Sequence, residues 1–278
     1  MERTTKKLYI YSFGFAILTL LGVISRMISL ISFYDKDIGY YQTSAILPDI
    51  FHGICVFAII AALSAVFIIP TRKNGDLTKY NPVSTSARVG SVFALCSVSA
   101  FAVYFFTHSF AQNNISITAN SGTFGIVKTA AVILAIPCII YFGLVLASKT
   151  EKGEKHVLFG YCTIIFILMM LAITYFDLTT AMNSSNKLLL QITLMLLMLY
   201  MLYELRFSLD NASPSGYVII SLLTLYFSCV TSLPSIIAFF LGILTRADYL
   251  FFHFVVFGLG VYSSLRFITF VIEQKTQK

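Results

Sequence analysis

The chain alternates between long apolar runs and short polar breaks. A bilayer core needs about 20 consecutive, mostly apolar residues per helix. Eight runs meet that length: roughly Leu8–Phe33, Ile46–Ile69, Ala87–Phe110, Thr123–Ala147, Val157–Phe176, Leu188–Ser208, Tyr217–Leu244 and Tyr249–Ile272. The breaks carry turn chemistry, as in Asp35-Lys36-Asp37-Ile38-Gly39, Asn183-Ser184-Ser185-Asn186 and the stretch from Asn211 to Gly216. The break at Thr245-Arg246-Ala247-Asp248 is the shortest, but without it the last two runs would merge into a helix too long for one span. The pattern predicts an all-α, polytopic integral membrane protein with eight transmembrane helices in a single membrane domain, residues 1–278. The breaks leave no room for a fused soluble module, and the sequence contains neither a Walker A nor an HExxH motif.

Composition agrees with this reading. Charged residues make up 11% of the chain and the mean hydropathy is +0.86. A soluble domain carries about 25% charged residues, so this chain could not cover itself with water-facing groups. The net charge of +7 would suggest nucleic acid in a soluble protein. Here loop lysines and arginines set orientation instead, and no nucleic-acid partner is expected. Fourteen basic residues, among them Lys6, Arg72, Lys79, Lys152 and Lys275, fall on one side, against Lys36, Lys187 and Arg246 on the other. The positive-inside rule then places both termini in the cytoplasm of a cell-membrane protein. The first run is longer than a signal-peptide core, so it is expected to stay as a helix. Cys55, Cys96, Cys138, Cys162 and Cys229 all lie inside apolar runs without a CxxC pair, and they read as packing residues.

Two segments echo each other. Ile31-Ser32-Phe33-Tyr34-Asp35 closes the first run and Ile173-Thr174-Tyr175-Phe176-Asp177 the fifth. Two parallel four-helix repeats, 1–148 and 149–278, would explain the echo. The tendency of aromatic residues and Asp to collect where a helix leaves the membrane would explain it equally well.

Ionisable side chains inside spans are costly, and each is therefore a candidate for function. At 1.5 Å per residue, Arg26 lies about 10 Å below the outer end of its helix, Asp49 and His52 roughly 5–10 Å, Lys128 about 8 Å and His253 about 6 Å. Five residues from four helices thus fall near one outer depth and form the expected ligand-binding set: Arg26, Asp49, His52, Lys128 and His253. Two cations facing one carboxylate favour an anionic ligand, either a small solute or a lipid headgroup. Asp49 and His52, spaced i, i+3 on one helix face, would couple protons or orient that ligand. The structural alternatives are an Arg26–Asp49 ion pair between the first two helices and a Lys128 that snorkels to the interface.

A metal reading would use Asp49, His52, His108 and His253 and would make the chain an intramembrane, metal-dependent lipid hydrolase. The histidines show no helical HxxxH pair, so no cofactor is expected. The leading function is transport, or binding in the service of transport, through an outward-facing polar pocket. A non-catalytic sensor or a subunit bound to another membrane protein is the third reading. Pro137 and Pro234 lie mid-span, where each removes a backbone donor. Near Pro234, Thr231 and Ser232 are the expected replacements.

Overall fold

The computed structural model describes residues 2–35, 40–42, 45–67, 85–111, 121–147, 154–177, 184–209 and 213–276. Eight helices account for nearly all of them: α1 (Glu2–Phe33), α2 (Ile46–Ser64, continued by a turn of 3-10 helix over Ala65–Phe67), α3 (Thr85–Ala111), α4 (Ser121–Ala147), α5 (Glu154–Phe176), α6 (Ser185–Ser208), α7 (Pro214–Phe240) and α8 (Ala247–Thr276). Each contains a stretch long and apolar enough to cross a membrane. The protein is an all-α, polytopic membrane protein.

The helix boundaries follow local chemistry. Ser184 and Ser213 cap α6 and α7 by accepting from the backbone N–H of Lys187 and Gly216, which satisfies donors that a helix start leaves orphaned. Pro214 occupies the first turn of α7, where its missing N–H is harmless. The seventh helix stops at Phe240, four residues short of its expected end. Gly242 adopts a left-handed φ of 69°. Its N–H bonds to the Phe239 carbonyl, and the N–H of Ile243 reaches back to Ala238. This is a Schellman stop, which apolar residues running through to Leu244 had hidden.

Helices α3 to α8 form a closed ring in which each packs on the next and α8 returns to α3. Helix α1 lies against α7 and touches α8, while α2 rests on α1 and α7. Burial follows this order: 67% of the α8 span and 61% of the α7 span are buried, against 22% for α2. Helices α7 and α8 are therefore the centre and α2 the periphery. The α3–α8 contact is close because small residues line it. A Cβ on Gly90 would meet the Tyr262 backbone at 2.9 Å, and one on Gly258 would meet the Phe93 carbonyl oxygen at 2.7 Å. Ala58, Ala62 and Ala65, fully buried, form the inner face of the α2 arm, and the Tyr11 hydroxyl of α1 donates to the Ala61 carbonyl. Close backbone approach of this kind is how helices associate where lipid is as apolar as leucine.

Cross-helix contacts fix the two ends. Arg246, just before α8, meets Asp177, just after α5. Glu204 near the end of α6 meets Arg266 near the end of α8. The echoing segments therefore close α1 and α5 at the same end, called here the Asp177 end, with the termini at the other. The packing partners of the two differ: α1 lies on α7, and α5 lies between α4 and α6.

Candidate functional site

Among the described residues, three clusters of charged side chains lie within the bundle, and their charge balance separates them. The first is at the termini end. Glu204 and Arg266, 3% and 2% exposed, form a two-pronged ion pair in which Arg266 Nε donates to Glu204 Oε1 at 2.7 Å and Nη2 donates to the same oxygen. The hydroxyls of Tyr200 and Tyr217 donate to the other oxygen, Oε2, at 3.2 and 3.3 Å. Tyr262 and Tyr141 stand beside the pair, and the Tyr141 ring lies 4.7 Å from that of His156. Charge is balanced here and the carboxylate is fully bonded. This is a structural clasp joining α6, α7 and α8.

The second cluster closes the Asp177 end. Arg246 forks onto Asp248, Nε to Oδ1 at 3.2 Å and Nη2 to Oδ2 at 2.6 Å, and reaches Asp177 Oδ2 through Nη1 at 2.9 Å. Tyr249 donates to the same Asp177 oxygen at 2.8 Å, and Lys187 Nζ donates to the Asp177 backbone carbonyl at 2.6 Å. Burial pulls the Arg246 guanidinium down, but the hydrogen bonds and charges of Asp248 and Asp177 outweigh it and hold the pKa above its usual value. Lys128 joins this network. It lies within electrostatic reach of Asp248 and Asp177, over the Phe105 ring at 5.9 Å. The recess among Lys128, Thr174, Asp177 and Tyr249 holds about 10 Å³, room for about one water.

The third cluster surrounds Arg26, which is 1% exposed. Its Nη1 donates to the Val230 backbone carbonyl at 2.7 Å, and Nη2 donates to Asn186 Oδ1 at 3.0 Å and Ser235 Oγ at 3.3 Å. The Val230 carbonyl is the one that Pro234 frees, since the residue four places on would normally donate to it. Thr231 and Ser232 do not take that role. Thr231 pairs with Thr193 at 2.7 Å, and Ser232 donates to the Ser228 carbonyl at 2.5 Å. Beyond α1, residues 34–35 and 40–42 pair beside this cluster: Asp35 N–H bonds to the Tyr40 carbonyl, Gln42 N–H to the Phe33 carbonyl, and the rings of Tyr34 and Tyr41 meet edge-on at 5.8 Å. Tyr41 thereby comes beside the guanidinium and Tyr34 beside Asn186. Burial raises both tyrosine pKa values, and the Arg26 charge opposes the rise. His253, 3% exposed, lies within electrostatic reach of Arg26. Among the described residues, two buried polar atoms here make no hydrogen bond of normal geometry: Asn186 Nδ2, which lies beside the Tyr34 hydroxyl, and His253 Nδ1.

Among the described residues, every partner of Arg26 is a neutral dipole. Arg246 has two carboxylates and Arg266 has one, whereas among the described residues no carboxylate faces Arg26.

Of the five expected site residues, the structure places Arg26 and His253 within electrostatic reach of each other and Lys128 within electrostatic reach of Asp177 and Asp248. Asp49 and His52 are exposed on α2, and His52 lies against the Phe51 ring at 5.6 Å. The expected Arg26–Asp49 pair does not form, because Arg26 turns inward to α6 and α7 while Asp49 faces outward. His108 keeps its helical place in α3, but its side chain lies outside the described residues. Among the described residues, no three of His, Cys, Asp and Glu gather as a metal site would require. Asn186, Ser235, Tyr34 and Tyr41 were missed in the sequence because neutral residues at a helix start, in a serine-rich span and in a loop carry no charge signal. The proline at 234 was the available clue, since its freed carbonyl needs a donor from elsewhere.

Compared with protein-family models, curated proteins and solved structures, the chain matches none. The reading of the site therefore rests on its own geometry.

Proposed function

We propose that this membrane protein binds an anionic group, a carboxylate or a phosphate on a small solute or a lipid, at Arg26, in the service of its transport. The observation that carries this reading is a fully buried guanidinium whose bonds, among the described residues, all go to neutral atoms. A charge held in a bilayer interior without a counter-charge costs several kcal/mol, and an anion would offset that cost. The two atoms without a hydrogen bond of normal geometry fit the same occupant. Asn186 Nδ2 is a donor, and His253 Nδ1 is a donor in the appropriate tautomer. Ser235, Tyr34 and Tyr41 add hydroxyls. The positive-inside bias supports the Asp177 end as the outer face, so that the site lies about 10 Å below the outer surface, reckoned along α1 from Arg26 to Phe33. Asp49 and His52 stand apart from it.

Thermal unfolding of the purified full chain, followed by circular dichroism because the sequence has no tryptophan, tests the reading. The panel is acetate, succinate, inorganic phosphate and glycerol phosphate at matched ionic strength. At least one should stabilise the wild-type protein, by about 2.7 kcal/mol at one hundred times its Kd. The effect should vanish in Arg26→Met and persist, weakened, in Arg26→Lys. Stabilisation that survives Arg26→Met, or none from any anion, rejects the site.

A further inference from the structure

A crevice of about 340 Å³ runs between α1 and α8 and is floored by α7. Ala16 and Thr19 line one wall, Phe257 and Gly260 the other, and Ser228 and Cys229 lie beneath. It opens outward, since Ala16 is exposed and Cys229, Phe257 and the neighbouring Val261 are only half-buried. Such a groove faces the membrane, and what matters is where it leads.

On each of its three helices, a lining residue sits seven places from a residue at the Arg26 cluster. Thr19 and Arg26 are so spaced on α1, Ser228 and Ser235 on α7, and Gly260 and His253 on α8. Seven residues are two helical turns, so each pair shares a face and the members are separated by about 10 Å along the axis. All three steps run towards the Asp177 end. The crevice and the cation are therefore consecutive parts of one three-helix corner, apolar first and cationic above. Close packing keeps the corner shaped: a Cβ on Gly260 would meet Ser228 Cβ at 2.5 Å, and one on Gly22 would meet the Tyr226 hydroxyl at 2.7 Å.

We infer that the occupant of the Arg26 site is an anionic lipid, with its charged head at Arg26, Asn186 and His253 and its acyl chain lying in the α1–α7–α8 crevice. The inference rests on Arg26 being an anion site and adds the substrate class. A free solute needs only the cation and gains nothing from an apolar groove opening to lipid. An amphiphile uses both. Its chain loses little by leaving the bilayer for a groove as apolar as the bilayer itself, so selectivity comes from the head and positioning from the groove.

The test is electron paramagnetic resonance of chain-spin-labelled stearic acid, and separately of its methyl ester, with the full chain in phosphatidylcholine vesicles. The protein-immobilised fraction of the acid should exceed that of the ester roughly tenfold in relative association constant, the ratio one charged hydrogen bond supplies. Arg26→Met should remove the preference. Ala16→Phe or Val261→Phe, which put a ring into the crevice from its rim, should remove the immobilised acid while stabilisation by a short anion survives. Circular dichroism confirms that each variant is folded, and two rim positions guard against one failing to fold. Equal immobilisation of acid and ester in the wild type, or immobilisation untouched by both rim variants, overturns the inference. If acetate or phosphate still stabilises the protein through Arg26 in that case, the anion site stands and only the lipid assignment falls. If no anion acts, both fall together.

Discussion

The contact between Arg26 and the carbonyl freed by Pro234 can be isolated by a double-mutant cycle. In the wild type, Arg26 Nη1 donates to Val230 O at 2.7 Å in a fully buried setting. Arg26→Met keeps an unbranched chain and removes the donors, so the carbonyl is left without a partner at a cost of about 1–3 kcal/mol. The same substitution also removes a buried charge, which pulls the other way, so the single mutant alone decides nothing. Pro234→Ala restores an N–H at 234, and the Val230 carbonyl can then take its ordinary helical bond. In that background Arg26→Met leaves no orphaned carbonyl, while the change in buried charge is the same. The coupling energy should therefore be about 1–2 kcal/mol, with Arg26→Met less destabilising, or more stabilising, when Ala occupies position 234. Unfolding free energies from detergent titration, followed by circular dichroism, give the four corners. Independent sites add to within about 0.5 kcal/mol. Additivity at that level would refute the idea that Arg26 serves the proline-broken backbone, and would leave the guanidinium with one structural duty fewer.

At the termini end, Glu204→Gln or Arg266→Met alone should cost about 3–5 kcal/mol, because each strands a buried charge, and the double substitution should cost markedly less than the sum; additive losses in the same unfolding assay would show that the two groups do not act as a pair. Tyr34 and Tyr41 have pKa values raised on folding, so their contribution is complete below the ordinary tyrosine value of about 10 and is lost as pH rises through the raised values. Alkaline titration of stability should accordingly show a loss that begins near pH 10 and is reduced in Tyr34→Phe/Tyr41→Phe; an unchanged alkaline limb would mean that neither hydroxyl is held neutral by the fold. Reporter fusions ending near Lys79 and Lys152 should report a cytoplasmic location, and fusions near Asn114 an external one, with the reversed pattern turning the Arg26 site to face the cytoplasm.

The eight spans were legible in the sequence because the bilayer imposes a length and a composition that hardly any other setting does. Their ends were legible to within a few residues wherever serine, proline or a charge marked them, as at Ser184 and Pro214, and less so where Gly242 stopped α7 inside an apolar run. The depth of Arg26 and His253 could be counted along their helices, and the two lie within electrostatic reach of each other. What the sequence did not contain was azimuth. In water a helix buries its apolar face and the period of the pattern shows which face that is. In lipid, the surface turned to the bilayer is as apolar as the surface turned to the core, so little in the pattern separates Asp49, which faces out, from Arg26, which faces in. The joining of Arg26 to the carbonyl above Pro234, the recruitment of Lys128 into the Asp177 network and the placing of Tyr34 and Tyr41 beside Asn186 and Arg26 depend on which helices lie side by side. That was decided by small residues such as Gly90, Gly258 and Ala62 allowing close approach, since backbone contact between helices is set by shape and only the assembled bundle has one.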